Sequence, residues 1–195
     1  MNFVAHCFLA QGNSHSLVGN LLGDFCKGVN TNALAPNIYL GLMNHRAVDK
    51  FTDQHCEVLQ AKHYFSAHRR RFSGIAIDVL FDYFLIKHWS QFCEICFDDF
   101  KRRTYQCLID SLSLMPHQMA NVMQRVVSQD WFASYQCKEG VGLALDRIAS
   151  RIRFKNQFSG ALEDIELHFE ELEIAFSRFF PQLQFHIKTL NIERP

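Results

Sequence analysis

Two aspartates lie within an apolar stretch of the chain, a run from Gly74 to Ile86 in which Asp78 and Asp82 are the only charged residues. Residues four positions apart share one face of a helix, and the rest of the run is apolar on every face, so the pattern predicts a buried helix. Two buried carboxylates lose hydration and repel each other, which costs several kcal/mol unless a cation, a proton or a group of donors compensates. A divalent metal ion is the compensation that best fits carboxylates kept ionised.

The spacing of apolar residues along the rest of the chain also favours helices. These residues recur mostly three or four positions apart, and only four prolines and nine glycines interrupt them in 195 residues. We therefore predict an all-α fold, a compact helical bundle forming a single domain over residues 1–195, with Pro181 ending the last long helix. The predicted helices span about 2–10, 15–27, 36–53, 55–66, 70–90, 92–112, 115–127, 129–136, 139–154 and 158–178.

Charge and cysteine content narrow the classes of partner and compartment. Acidic and basic residues number 20 each, which argues against the strongly basic surface of a nucleic-acid-binding protein. No run of about 20 apolar residues is present, so we expect no membrane span. The seven cysteines lack the spacing of a disulfide framework, which favours a reducing cytoplasm. We interpret Cys93 and Cys96 of the single Cys-x-x-Cys motif as buried structural thiols.

A second predicted helix carries side chains that are typical of metal ligands. His45, Asp49 and Asp53 follow one another at intervals of four, so they form one polar face of that helix. If this face meets the helix of the two buried aspartates, imidazole and carboxylate groups come together in a site that suits Mn²⁺ or Mg²⁺ better than zinc. The acidic and imidazole candidates in the first 90 residues are His6, Asp24, His45, Asp49, Asp53, His55, Asp78, Asp82 and His88.

Basic residues accompany these candidate ligands. Lys27 follows Asp24 by three residues, which places a cation for a phosphate beside an acid for a metal. Arg46 and Lys50 flank the polar face of the predicted helix over 36–53 and could attract an acidic or phosphorylated partner. Solvated helix faces carry the same pattern, so both interpretations stay open. Further basic clusters are Arg69 to Arg71, Lys101 to Arg103, and Arg147, Arg151 and Lys155.

Taken in order, these motifs resemble those of the acyl carrier protein phosphodiesterase family. The resemblance runs over nearly the whole chain and is most specific in the first 90 residues. The matching positions are Asn2-Phe3, Ala5-His6, Gly19-Asn20, Leu22-Gly23-Asp24, Lys27-Gly28, His45-Arg46, Asp49, Phe51-Thr52-Asp53, His55, Gly74-Ile75, Asp78, Asp82, His88-Trp89 and, in a weaker second block, Trp131, Tyr135, Gly140, Leu145, Arg147-Ile148 and Arg151. The chain departs from the family pattern at Cys56 and Tyr83, and it contains no His-Asp dipeptide.

The resemblance implies a helical fold distantly similar to the HD-type metal phosphohydrolases. It also implies a Mn²⁺-dependent hydrolase that removes the 4′-phosphopantetheine group from holo acyl carrier protein by cleaving its phosphodiester bond to a serine. Two alternatives stay open. One is a related metal phosphohydrolase that acts on a nucleotide or a small phosphoester, and the other is a non-catalytic helical module that binds carrier proteins.

On this basis the candidate residues are given roles. We expect the metal ion to be held by Asp24, His45, Asp78, Asp82 and His6. Asp49 is expected to orient or deprotonate the attacking water, or to support a ligand, while Lys27 and Arg46 stabilise charge on the phosphoryl oxygens. Carrier-protein binding is assigned to Lys50, Arg69, Arg70 and Arg71, since carrier proteins are small and acidic.

Overall fold

The computed structural model describes residues 1–194 of the chain, and within them it contains α-helices, short 3₁₀ turns and no strand. The all-α prediction is therefore confirmed. The helices are α1 (Phe3–Leu9), α2 (Ser14–Leu22), α3 (Pro36–Gln54), α4 (Cys56–Ala61), α5 (Ser73–Lys87), α6 (Phe97–Asp110), α7 (His117–Ser128), α8 (Trp131–Ser134), α9 (Lys138–Arg151), α10 (Leu162–Leu167) and α11 (Phe169–Leu190). The 3₁₀ turns are Gly23–Phe25, Thr31–Ala33, Lys62–Tyr64, Arg70–Phe72, Trp89–Gln91 and Leu112–Leu114.

Helix α5 is the buried helix that the apolar run predicts. Nearly every side chain from Ala76 to Leu85 is inaccessible to solvent, including that of Asp82. Its neighbours are α1, α9 and α11, and the rings of Phe81 and Phe84 pack against Phe176 of α11. The element that carries the two aspartates therefore lies within the hydrophobic core of the molecule.

Helices α2 and α3 pack with their backbones almost touching, because each has a glycine at the crossing. A Cβ atom on Gly19 would lie 2.7 Å from the Cα of Gly41, and one on Gly41 would lie 2.9 Å from the Cα of Gly19. This close approach brings the end of α2 against the part of α3 that carries His45. Larger residues at either glycine would force the two helices apart.

Several predicted helix ends are wrong. The predicted segment 15–27 becomes helical only to Leu22 and continues as a 3₁₀ turn, while the segment 158–178 divides into α10 and α11 at His168. Pro181 does not end the last helix but lies inside it. A proline within a helix costs about 3 kcal/mol, and here the helix continues because Leu183 and Ile187 beyond it are buried in the core.

The Cys-x-x-Cys segment precedes α6 and lies outside any helix. All seven cysteines are free thiols, but Cys93 is only partly buried and Cys96 is exposed, so the expectation of two buried thiols is wrong. The loop is fixed instead by Trp89, whose indole N–H donates to the carbonyl of Ile95. Within residues 1–194, no helix combines the length and the apolar character needed to cross a membrane.

Candidate metal centre

Three side chains from α1 and α3 gather in one group. His45 and Asp49 lie one turn apart on α3, with Nε2 of the histidine 2.9 Å from Oδ2 of the carboxylate. His6 of α1 stacks on His45, with ring centroids 4.1 Å apart, and its Nε2 lies 3.3 Å from the other oxygen of Asp49. One potential ligand atom from each residue lies within 4.8 Å of the others, so the group could hold a metal ion.

The orientation of His45 is set by the backbone of α2. Its Nδ1 lies 2.7 Å from the carbonyl oxygen of Asn20, and since a carbonyl can only accept, the proton is on Nδ1. Neutral His45 therefore presents the lone pair of Nε2 to Asp49, an arrangement that a cation between them would stabilise. Burial opposes a positive charge on this ring, but the hydrogen bond and charge of Asp49, together with Asp24 and the carbonyl of Asn20, outweigh burial and raise the pKa of His45.

His6 is fully buried, and within residues 1–194 neither of its ring nitrogens makes a well-aligned hydrogen bond, although Nε2 lies 3.3 Å from Asp49. Burial lowers its pKa to about 4, so the imidazole is neutral at pH 7. Neutral imidazole is the form that coordinates metals. Buried polar atoms without a partner are rare and costly, and a ligated ion would satisfy one nitrogen of His6.

Asp49 supplies the negative charge of the group, and both imidazoles face its carboxylate. Burial disfavours its ionised form, but the hydrogen bond from His45, the close approach of the His6 imidazole and the nearby amino group of Met1 together outweigh this effect and hold the pKa of Asp49 well below its usual range. Its side chain remains 38% exposed. The carboxylate is thus ionised, held from two sides and still accessible to a small ligand.

Gly23 leaves the space that the His45 ring occupies. A Cβ atom on this residue would lie 2.0 Å from Nε2 and 2.0 Å from Cδ2 of the imidazole. Gly23 also begins the 3₁₀ turn that carries Asp24 beside His45. From the sequence, Gly23 is expected only to permit a turn. Its backbone conformation is one that any residue adopts, so glycine is needed here because a side chain would collide with the His45 ring.

The two aspartates of α5 find different partners. Asp82 accepts hydrogen bonds from the backbone N–H groups of Val4 and Ala5, at 2.8 and 2.9 Å, and so caps the start of α1. Asp78 is not buried as predicted, because its side chain is 37% exposed; it lies 3.0 Å from the amino group of Met1, which also contacts Asp49 at 3.4 Å. Burial would lower the pKa of this amino group, but Asp78 and Asp49 raise it to about 10.

The sequence predicts that a metal ion stabilises Asp78 and Asp82. In the structure, backbone N–H groups take this role for Asp82 and the amino group of Met1 takes it for Asp78. The case for a metal ion comes instead from the donor set of His6, His45 and Asp49. Two imidazoles and one carboxylate suit a divalent ion, and the unpartnered nitrogens of buried His6 leave a ligand position open. The residues present therefore fit such an ion.

Asp82 should make the free energy of unfolding fall as pH rises from about 4 to about 7. Burial raises the pKa of Asp82 to about 7 despite its two backbone donors, whereas an unfolded aspartate titrates near 4. Between these values the folded protein holds a proton that the unfolded chain releases, so rising pH favours unfolding. Urea titrations of the metal-free wild type and of Asp82→Asn measure this effect as their difference.

His6 contributes a slope of the opposite sign, because its lowered pKa leaves it neutral in the folded protein while the unfolded chain binds a proton. That slope is common to both proteins and cancels in the comparison. If the stabilities of wild type and variant run parallel over this pH range, Asp82 does not titrate there.

The remaining acidic and imidazole candidates lie apart from the group or have structural partners. His55 caps α4 by accepting from the backbone N–H of Glu57. Asp53 is exposed and lies 3.8 Å from the ammonium of Lys62. His88 pairs with Glu173 on α11. These three therefore contribute nothing to the His6, His45 and Asp49 group.

The predicted basic residues divide into two sets. Arg46 and Lys50 are exposed on α3, the helix that carries His45 and Asp49, and Lys27 is exposed close after Asp24. Arg69, in contrast, is mostly buried and is held by ion pairs to Glu163 and Asp164. Arg70 donates to the backbone carbonyls of His63 and Phe65, and Arg71 packs over the ring of Phe154.

Together these features define an all-helical protein with a candidate centre for a divalent metal. The family model described as acyl carrier protein phosphodiesterase matches residues 1–183. Proteins named acyl carrier protein phosphodiesterase are similar to this chain: those of Klebsiella pneumoniae strain 342 (34% identity, 94% of this chain and 95% of the relative), Pectobacterium atrosepticum (34%, 97% and 98%) and Yersinia pestis (35%, 94% and 95%). The chain therefore belongs to the acyl carrier protein phosphodiesterase family.

No solved structure matches the chain. The similarity to HD-type metal phosphohydrolases consequently stays a prediction.

Proposed function

We propose that this protein hydrolyses the phosphodiester bond of holo acyl carrier protein, releasing 4′-phosphopantetheine and leaving the apo carrier protein. The observation that carries the proposal is the group of His6, His45 and Asp49 in a member of this family. The seven free cysteines fit activity in a reducing compartment, for which we propose the cytoplasm.

His6, His45 and Asp49 would hold the metal ion, with Mn²⁺ the first candidate and Mg²⁺ the second. When bound, a divalent ion polarises a phosphoryl oxygen and makes water a better nucleophile at neutral pH. This assignment moves Asp49 from the role of general base to that of ligand. Asp78 lies next to this group, because the carboxylates of Asp78 and Asp49 contact the same amino nitrogen of Met1.

The other residues near the centre act without binding the ion directly. Asp82 is assigned a supporting role, because it fixes the first turn of α1 and hence the place of His6. Asp24 is exposed on the 3₁₀ turn beside His45 and is proposed to accept a proton from the attacking water. Lys27 and Arg46 are proposed to stabilise negative charge on the phosphoryl oxygens.

Removal of the prosthetic group provides the direct test of this function. Holo carrier protein incubated with the enzyme and Mn²⁺ should lose the phosphopantetheinyl mass in an intact-protein mass spectrum. Incubation with EDTA should prevent the loss. Turnover of a nucleotide or a small phosphoester with no loss from carrier protein would overturn the substrate assignment, and no turnover of any phosphoester would overturn the enzymatic one.

The exposed cations of α3 should bind the acidic carrier protein. Lys50→Glu should raise KM about two- to fivefold with little change in kcat, because the residue lies outside the metal centre and acts through charge at the rim of an interface. Rising ionic strength should weaken wild-type binding in the same way. Steady-state kinetics at two salt concentrations measure both effects.

Lys155→Glu is the matched control, since it reverses an exposed lysine in the segment that follows α9. Equal changes in KM for the two variants would show that carrier protein responds to net charge alone. A KM independent of both Lys50 and salt would place the docking surface elsewhere.

A further inference from the structure

The segment that follows α11 folds back onto the start of the chain. Asn191 adopts a left-handed conformation at the end of α11, with φ of 49°, and turns the chain. Glu193 then reaches α2, where its Oε1 accepts hydrogen bonds from the hydroxyl of Ser16 at 2.7 Å and from the amide of Asn20 at 3.0 Å. These contacts join residues more than 170 positions apart in sequence.

Asn20 connects this carboxylate to the metal centre. Its side chain is fully buried, donating to Glu193 and accepting from the amide of Asn44 at 2.9 Å. Its backbone carbonyl accepts from Nδ1 of His45 at 2.7 Å. Asn20 is thus held by its side chain while its backbone fixes the tautomer and the ring orientation of His45.

We propose that Glu193 is a positioning residue for His45, acting through Ser16 and Asn20 on α2. It keeps Asn20 in place, and Asn20 directs the Nε2 lone pair of His45 toward Asp49. Groups that orient a ligating histidine raise metal affinity because the ring need not be ordered on binding. This inference rests on the proposed metal centre. Glu193 itself lies beyond residues 1–183, which the family model covers.

Binding of Mn²⁺ to the metal-free protein tests the proposal. Glu193→Ala should weaken Mn²⁺ binding by about tenfold, the lower end of the usual effect of such supporting residues. Glu193→Gln should restore affinity, because its amide oxygen can accept from Ser16 and Asn20. The control is Arg194→Ala, which removes the contact of the same segment with Gln11 and leaves Glu193 in place. Titration followed by the paramagnetic resonance of free Mn²⁺ gives the dissociation constants.

Nitrogen NMR of the His45 ring in the metal-free protein provides a second readout, which mere anchoring of the segment would not change. In Glu193→Ala the Nδ1 proton should exchange faster with water than in wild type and in Arg194→Ala. If the alanine variant does not fold, Glu193→Asp replaces it, since the shorter side chain cannot keep both contacts.

The outcomes separate this proposal from the proposed function. Equal Mn²⁺ affinity and equal Nδ1 exchange in Glu193→Ala and Arg194→Ala would overturn the role of Glu193. Wild-type protein that binds no Mn²⁺ would overturn the metal centre, and the exchange measurement would then decide the role of Glu193 alone.

Discussion

Asp49→Asn is expected to abolish both Mn²⁺ binding and release of phosphopantetheine. The substitution keeps the shape of the side chain but removes the negative charge that His6 and His45 face. Loss of a supporting residue typically lowers metal affinity 10- to 100-fold, and loss of a ligand should cost more. Mn²⁺ titration and mass spectrometry of holo carrier protein measure the two effects.

Asp53→Asn is the matched control for this experiment. It makes the same chemical change one helical turn further along α3, at an exposed residue whose one ion pair within residues 1–194 is with Lys62 at 3.8 Å. Its metal affinity and turnover should equal those of wild type, and helical circular dichroism should show both variants folded. An Asp49→Asn protein with near wild-type turnover would remove Asp49 from the mechanism.

Gly23→Ala should give the second large effect. The added methyl group would lie 2.0 Å from Nε2 of His45, the atom assigned to the metal. Either the ring gives up its hydrogen bond to Asn20, or the 3₁₀ turn moves away and takes Asp24 with it. We expect metal affinity to fall at least tenfold and stability to fall by about 1–3 kcal/mol, as for other overpacked sites.

Gly74→Ala is the corresponding control. That glycine lies in the first turn of α5, where a new Cβ would meet only Lys62 at 3.9 Å. Alanine is the better helix former, so this variant should be as stable as wild type or slightly more stable. Unfolding in urea and Mn²⁺ titration of both variants provide the measurement. Unchanged affinity in Gly23→Ala would show that His45 is not a ligand.

The sequence predicts those parts of the site that depend on local spacing. His45 and Asp49 are four residues apart on a well-patterned helix, so their proximity follows from helix geometry. The burial of α5 follows likewise from its apolar residues. The stacking of His6 on His45 does not follow, because it depends on how α1 packs against α3.

The partners of buried Asp82 show the same limit. Asp82 accepts from backbone groups 77 and 78 positions earlier in the chain. Backbone N–H groups are present at nearly every residue, so no sequence pattern indicates which of them will meet a carboxylate. The role of Glu193 is hidden for a similar reason, since an isolated acidic residue near the end of a chain gives no sign of a contact with α2.

The position of a bound Mn²⁺ ion tests the central claim most directly. Crystals of the protein soaked with Mn²⁺ should show, by anomalous scattering at the manganese absorption edge, one ion in contact with His6, His45 and Asp49. The same crystals of Asp49→Asn should lack that peak. An ion bound elsewhere, with this group empty in an enzyme that turns over holo carrier protein, would contradict the account.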